Sequence, residues 1–231
     1  MELNRVVVTG IGIISPIGNN LPEYWNGLIE GVSGANYITL FDAAKFKTRF
    51  ACEIKGFDVT KFLDRKEARK MDRYTQISLV ASDEAMTAAG LNKDNINPDR
   101  VGVVFGSGIG GVNTFQQEVA DFAKGDGTPR FSPFFIPKMI SDIAAGQISI
   151  RHNLRGPNFA VVSACATSSN AIMEAFNLLP DPQTNGGLLI AVDEGAVEAV
   201  KKLLKENGLE NFTEPIGKMI ARNDKTVFVK Q

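Results

Sequence analysis

Short apolar runs that pass directly into small-residue turns and then into helices constrain this chain more than any other feature. Val101–Phe105 (VGVVF) leads into Gly106–Gly111 (GSGIGG) and a helix-like segment ending near Lys124. Phe159–Val162 (FAVV) leads into Ser163–Ala166 (SACA) and a second helical segment, Thr167–Leu179. Arg5–Thr9 (RVVVT) opens the chain in the same way, with Gly10 and Gly12 after it. Continuous β-branched runs of this length read as buried strands, and their alternation with helices predicts an α/β fold with a mainly parallel sheet. Other predicted elements are helices over Leu21–Glu30, Thr75–Gly90 and Met139–Ile150, and a weaker strand over Phe50–Phe57. In the Thr75–Gly90 helix, Ile77, Val80, Ala81, Ala85 and Ala88 are expected inward, with Gly90 as the cap. Lys61–Lys70 reads as a solvated, charged face.

Composition excludes several classes. The 231 residues are 44% hydrophobic and 22% charged, as a globular chain requires. Twenty-five basic residues face 26 acidic ones, for a net charge of −1, which argues against a surface built for nucleic acid. No run is apolar and long enough to span a membrane, and the N-terminus lacks the layout of a signal peptide. Cys52 and Cys165 form no disulfide framework, so a reducing, cytoplasmic setting is expected. A single histidine, His152, excludes multi-histidine metal sites and any mechanism needing two histidines from this chain. We expect neither metal nor cofactor. His152 itself reads as an ordinary loop or surface residue.

Chemistry concentrates at Cys165, where a strand ends and a helix begins. Amides of a first helical turn are unpaired and the helix dipole adds positive character, and both favour thiolate over thiol. Small neighbours (Ala164, Ala166, Ser168, Ser169) leave room for a carbonyl, whose oxyanion the same amides would hold. A buried, inert thiol is the alternative. Gly106–Gly111 also fits G-x-G-x-x-G, a dinucleotide-binding pattern, but its acidic partner would be Asp126, inside a loop; no Walker A lysine follows. Phe131, Phe134 and Phe135 read as a core or interface cluster.

RVVVTGIGIISPIGN, DRKEARKMDRYTQ, VGVVFGSGIGG, PFFIPKMISD, LRGPNF and VSACATSSNAI follow one another in this order. Together they resemble the N-terminal half of a β-ketoacyl-acyl-carrier-protein synthase II, a thiolase-like condensing enzyme. The resemblance implies two similar α/β halves with sheets stacked around buried helices, this chain supplying one such half from residue 1 to 179. It implies that Cys165 accepts an acyl group from an acyl-carrier-protein thioester, that Ile109 lines or gates the acyl pocket, and that Phe134 belongs to the pocket near a dimer interface. The implied partners are acyl and malonyl carrier proteins and a second copy of the chain. By charge alone, Lys66–Arg73 reads as a solvated face, with docking of an acidic carrier protein as the alternative. The family's second-half histidines, which assist malonyl decarboxylation, find no match here, so acylation without condensation is expected. A non-catalytic, oligomerising fragment is the competing outcome.

Residues 180–231 form the second expected domain, a small α/β segment. DPQTNGGLLIAV, from Asp181, resembles the C-terminal end of selenide, water dikinase. Gly187–Val192, Ile216–Ile220 and Thr226–Val229 are predicted strands, and Glu194–Asn207 a packing helix capped by Gly208. Leu188–Val192 is expected at the edge of the synthase-like sheet.

Overall fold

A computed structural model describes residues 6–179 and 197–206. The chain divides into two compact units, Met1–Gly187 and Leu188–Gln231. In the first, the central feature is a parallel strand pair, β3 (Val103–Gly106) beside β4 (Asn158–Val161). The register runs Val103 opposite Asn158 to Gly106 opposite Val161, so both strands end at the same level. A separate antiparallel pair joins β1 (Asn36–Tyr37) and β2 (Phe50–Ala51), shorter than the Phe50–Phe57 strand predicted and with a partner the sequence did not suggest.

Among its described residues this unit has seven α-helices, α1 (Leu21–Ile29), α2 (Arg65–Ala68), α3 (Arg73–Ala88), α4 (Val112–Lys124), α5 (Phe135–Met139), α6 (Ile143–His152) and α7 (Thr167–Leu178), of which α6 and α7 pack on the β3–β4 pair. Their ends follow local chemistry. The Asn20 side chain accepts the Glu23 N–H at the start of α1, and Glu23 reaches back to the Asn19 N–H. That hydrogen bond is the largest influence holding the Glu23 carboxyl below its ordinary value. α3 stops at Gly90, whose φ of +67° lets the Leu91 N–H return to the Met86 carbonyl and the Gly90 N–H to Thr87.

The core lies between α3, α6 and β3. It gathers Leu63, Leu79, Val103, Ala145, Ile148 and Leu154. Leu79 is 1% exposed, the largest fully buried apolar side chain. The inward face of α3 therefore differs from the one expected: Thr75, Ser78, Leu79 and Val80 are buried, while Ala88 is exposed. The reason is that α3 is covered on two sides. α6 meets one of them. On the other, Gly10 and Gly12 lie so close to the helix that a Cβ would stand 2.3 Å from the Ala85 carbonyl oxygen and 1.9 Å from that of Ala81. Glu84 fixes this approach, its carboxylate accepting the Ile13 N–H at 2.8 Å and the Leu21 N–H at 2.7 Å.

The same segment overturns one expectation. Val6–Thr9 forms no strand, and Val8 is 81% exposed. A β-branched run becomes a strand only when a neighbour takes its backbone groups, and none of the described residues does. Of the second unit, α8 (Val197–Glu206) is described, with Glu198–Lys201 and Lys202–Glu206 pairs along it. The strands predicted within 187–192, 216–220 and 226–229, and the sheet-edge placement of Leu188–Val192, fall outside the described residues.

Candidate functional site

Both β3 and β4 release the chain at one end of the pair, and each turn there carries a predicted site residue. After β4, Ser163 leads into a single 3₁₀ turn, Ala164–Ala166, and then into α7. Cys165 sits in that turn and is exposed; Cys52, the other free thiol, is exposed as well. No side chain caps α7, so its first amides are not claimed by a protein acceptor of that kind. Ala164 adopts φ +48°, the left-handed region that a non-glycine residue enters only where its surroundings hold it.

Those surroundings are explicit. Thr167, buried, accepts the Ser163 N–H on Oγ1 at 2.8 Å and donates the same hydroxyl to the Ala164 carbonyl at 2.7 Å. Asn170 donates to Ser163 Oγ at 2.7 Å, and the Ala166 N–H to the Ser163 carbonyl at 3.1 Å. Gly106 lets this corner close against β3: a Cβ there would stand 2.8 Å from Thr167 Cγ2. None of Thr167, Asn170 or the left-handed Ala164 was singled out from sequence. A hydroxyl residue two positions after the cysteine, at a strand-to-helix corner, was the available signal.

After β3, Ser107 is buried and accepts the Gly110 N–H on its hydroxyl at 3.0 Å, curling the loop. Gly110 (φ +82°) and Gly111 are required, since a Cβ would fall 2.3 Å from the Met139 carbonyl oxygen at the first and 2.1 Å from that of Lys138 at the second. Ile109 is left 72% exposed at the rim of an open cavity of about 380 Å³, lined with it by Val112, Phe115, Met139, Ile140 and Ser141. Cys165 and Phe134 do not line that cavity.

Asp72 ties the loop to the scaffold. This buried carboxylate caps α3 through the Tyr74 N–H and also accepts the Thr114 N–H at 3.2 Å and hydroxyl at 2.6 Å in the first turn of α4. Tyr74 in turn donates its phenol to the Ile140 carbonyl beside the cavity. Burial, the largest influence, pushes that phenol above its ordinary value.

Two predicted placements need correction. Phe134 does not join the aromatic stack: Phe135 stacks between Phe115 (6.2 Å) and Phe131 (5.5 Å), with Phe122 beyond at 5.3 Å from Phe131. Phe134 instead lies under Lys70, whose Nζ is 5.8 Å from the ring centroid. At the start of α5, adjacent side chains diverge, so one of the two phenylalanines faces α4 and the other does not. His152 is no loop residue. It ends α6, mostly buried, with Nε2 3.1 Å from Asp83 Oδ1. Arg151 shares that carboxylate at 2.6 Å, and the bond holds its guanidinium above the ordinary value. α6 finishes just before β4 begins, whereas Cys165 follows the end of β4, so His152 and Cys165 occupy opposite ends of that layer. Asp126, the acidic residue of the dinucleotide alternative, is occupied by Thr128 and Arg130 within its own loop.

The helices and parallel strand pair are those of an α/β protein, and the chain's family and structural matches make the fold thiolase-like, that of the ketosynthases. Residues 3–185 match the family described as Beta-ketoacyl synthase, N-terminal domain, and the chain belongs to that family. The 3-oxoacyl-[acyl-carrier-protein] synthase 2 of Synechocystis sp. (strain ATCC 27184 / PCC 6803 / Kazusa) is 46% identical over 179 residues, covering 78% of this chain and 43% of that protein. The enzyme of the same name from Staphylococcus aureus (strain N315) is 41% identical over 219 residues, covering 91% of this chain and 52% of its own length. A β-ketoacyl synthase from Burkholderia phymatum STM815 superposes with a TM-score of 0.66 at 25% identity, covering 87% of this chain and 50% of that one. The ishigamide ketosynthase/chain length factor gives 0.67 at 25% identity, over 76% of this chain and 45% of that one. The chain thus spans about half the length of the curated relatives it matches.

The likeness of residues 181–231 to selenide, water dikinase finds no support. The Staphylococcus alignment covers 91% of the chain and so runs past Leu179 into that segment. Membership in the synthase family also leaves the dinucleotide reading without support. No helix among the described residues is long and apolar enough to cross a membrane.

Proposed function

We propose that this chain carries the acyl-accepting part of a 3-oxoacyl-acyl-carrier-protein synthase of fatty-acid elongation, with Cys165 as nucleophile. The observation that carries the reading is the exposed cysteine in an uncapped strand-to-helix corner. There the Cys165 sulfur attacks the thioester carbonyl of an acyl carrier protein. The carbonyl oxygen takes the negative charge, near the positive end of α7. Collapse forms the acyl–Cys165 thioester and breaks the carbon–sulfur bond to the carrier, whose thiolate receives the proton given up by Cys165. Ile109 and its cavity accommodate the acyl chain, and Phe134 contributes from the side of Lys70.

Condensation with malonyl carrier protein also needs groups that stabilise a carbanion, effects typically worth about 100- to 10,000-fold each. The one histidine lies at the far end of β4 against Asp83. This chain by itself therefore acylates without condensing. The reading takes 1–179 as the synthase-like domain and 180–231 as an appended segment, places the protein in the cytoplasm, and pairs it with carrier proteins and a second copy of itself. Incubation with acyl carrier protein loaded with a medium-chain acyl group, followed by peptide mass mapping, tests it: acyl mass on Cys165 and not on Cys52 is expected, and an unmodified Cys165 refutes it.

A second reading has its own observation. Ile172 is 71% exposed and Met173 60% on the outer side of α7, an apolar face suited to association without turnover. Sedimentation showing a stable oligomer with an inert Cys165 favours that reading.

A further inference from the structure

Thr167 makes more of the corner than its place in a helix requires. Its hydroxyl and its own backbone N–H both end on the Ala164 carbonyl, and the hydroxyl also accepts the Ser163 N–H. Both acceptor sites of that carbonyl are thus engaged by one residue. A peptide is planar and trans, so holding the Ala164 carbonyl toward Thr167 turns the Cys165 N–H to the opposite side and fixes the direction in which Cys165 leaves the corner. Ser163, one step earlier, has its N–H, carbonyl and hydroxyl all engaged by Thr167, Ala166 and Asn170. The left-handed Ala164 lies between these anchors and persists because they over-determine it. The Thr167 methyl packs on Gly106, where a Cβ would stand 2.8 Å away, which locks the hydroxyl in place.

We propose that Thr167 is a positioning residue for Cys165: its hydroxyl sets the Ala164–Cys165 peptide plane and so holds the thiol over the α7 N-terminus. The inference rests on the reading of Cys165 as nucleophile. Without the hydroxyl, the Ser163 N–H loses its acceptor and the Ala164 carbonyl one donor. The left-handed residue then relaxes, and the thiol leaves the field of the first α7 amides.

Alkylation of the full chain with iodoacetamide tests this, because Cys52, exposed and far from the corner in sequence, is an internal reference. In Thr167→Val the methyl on Gly106 is kept and only the hydroxyl is lost. The Cys165:Cys52 rate ratio should fall by roughly fivefold or more, and acyl loading with it, the factor that about 1 kcal/mol represents. Thr167→Ser restores the hydroxyl and should stay within about twofold of the original ratio. If the valine variant fails to unfold cooperatively, Thr167→Ala, which leaves room for water beside Ser163, replaces it with the same expectation. An unchanged ratio in the folded valine or alanine variant, or an equal fall in the serine variant, overturns the inference while leaving the nucleophile reading intact. A Cys165 that reacts no faster than Cys52 in the unsubstituted chain overturns both.

Discussion

α3 and α7 differ in what surrounds them: α7 packs directly on β3 and β4, and α3 packs on α6. α3 is gripped on both sides, by α6 and by the glycine-bearing N-terminal segment, and it contributes Leu79, the largest fully buried apolar side chain among the described residues. α7 buries only a stripe of small residues, Thr167 and Ala171, against the strands. Two of its larger apolar residues, Ile172 and Met173, are exposed, while Phe176 is half-buried. Stability thus resides around α3, and the candidate chemistry sits on a helix whose outer face contributes little. Active sites are commonly drawn from the less stable part of a scaffold, and here the division falls between α7, which packs directly on the strand pair, and α3, which packs on α6.

Substitutions sharpen this contrast in descending order. Leu79→Ala opens a cavity at the centre of the core and should cost about 2–5 kcal/mol, read by chemical denaturation. Glu84→Ala removes a carboxylate that takes two backbone N–H groups 63 and 71 residues away in sequence. Hydrogen bonds to a charged group contribute about 1.5–3 kcal/mol, and limited proteolysis near Gly10–Gly18 should rise with the loss. Tyr74→Phe deletes the phenol bonded to the Ile140 carbonyl and should cost about 1 kcal/mol. Ile172→Ala, on the open face of α7, should stay within about 0.5 kcal/mol. An Ile172 effect as large as that of Leu79 would erase the distinction between the two helices.

Titration probes the α3 side, through Tyr74. Burial raises the Tyr74 phenol above its ordinary 10.0. The stability this represents is complete below that value and is lost as pH climbs through the higher folded value. Tyr74→Phe should flatten that alkaline limb. The Glu23, Glu53, Asp58 and Asp126 carboxyls are lowered, chiefly by hydrogen bonds from Asn19, Thr39, Thr60 and Thr128 in turn. Their contributions are complete above 4.5 for the glutamates and 3.8 for the aspartates, and fade as pH falls through the folded values.

What the sequence made legible was local. Val101–Phe105 and Phe159–Val162 announced β3 and β4 because apolar β-branched runs bounded by small residues have few other uses. Gly90 announced the end of α3, and the cysteine at a strand-to-helix boundary announced the corner. What escaped depended on long-range pairing. Arg5–Thr9 has a strand's composition, but no described residue pairs with Val6–Thr9 as a strand. Ile172, Phe176 and Leu179 sit at helical spacing, which fixes a face without saying what covers it: Phe176 is half-buried but Ile172 and Leu179 are exposed, and the fully buried positions are Thr167 and Ala171, residues that hydrophobic periodicity passes over. Phe134 and Phe135 are adjacent and chemically identical, so only the start of α5 separates the one beside Lys70 from the one in the aromatic stack. The double cap by Asp72 joins residues 42 apart and has no local signature beyond an aspartate before a helix.

Acyl transfer to Cys165 is the central claim, and one measurement addresses it most directly. The intact chain and its Cys165→Ala variant are each incubated with an acyl-loaded carrier protein and read by intact mass. The account predicts one acyl group on the first and none on the second, with Cys52 unmodified in both. An acyl adduct that survives in the alanine variant, or its absence from the unsubstituted chain, would contradict it.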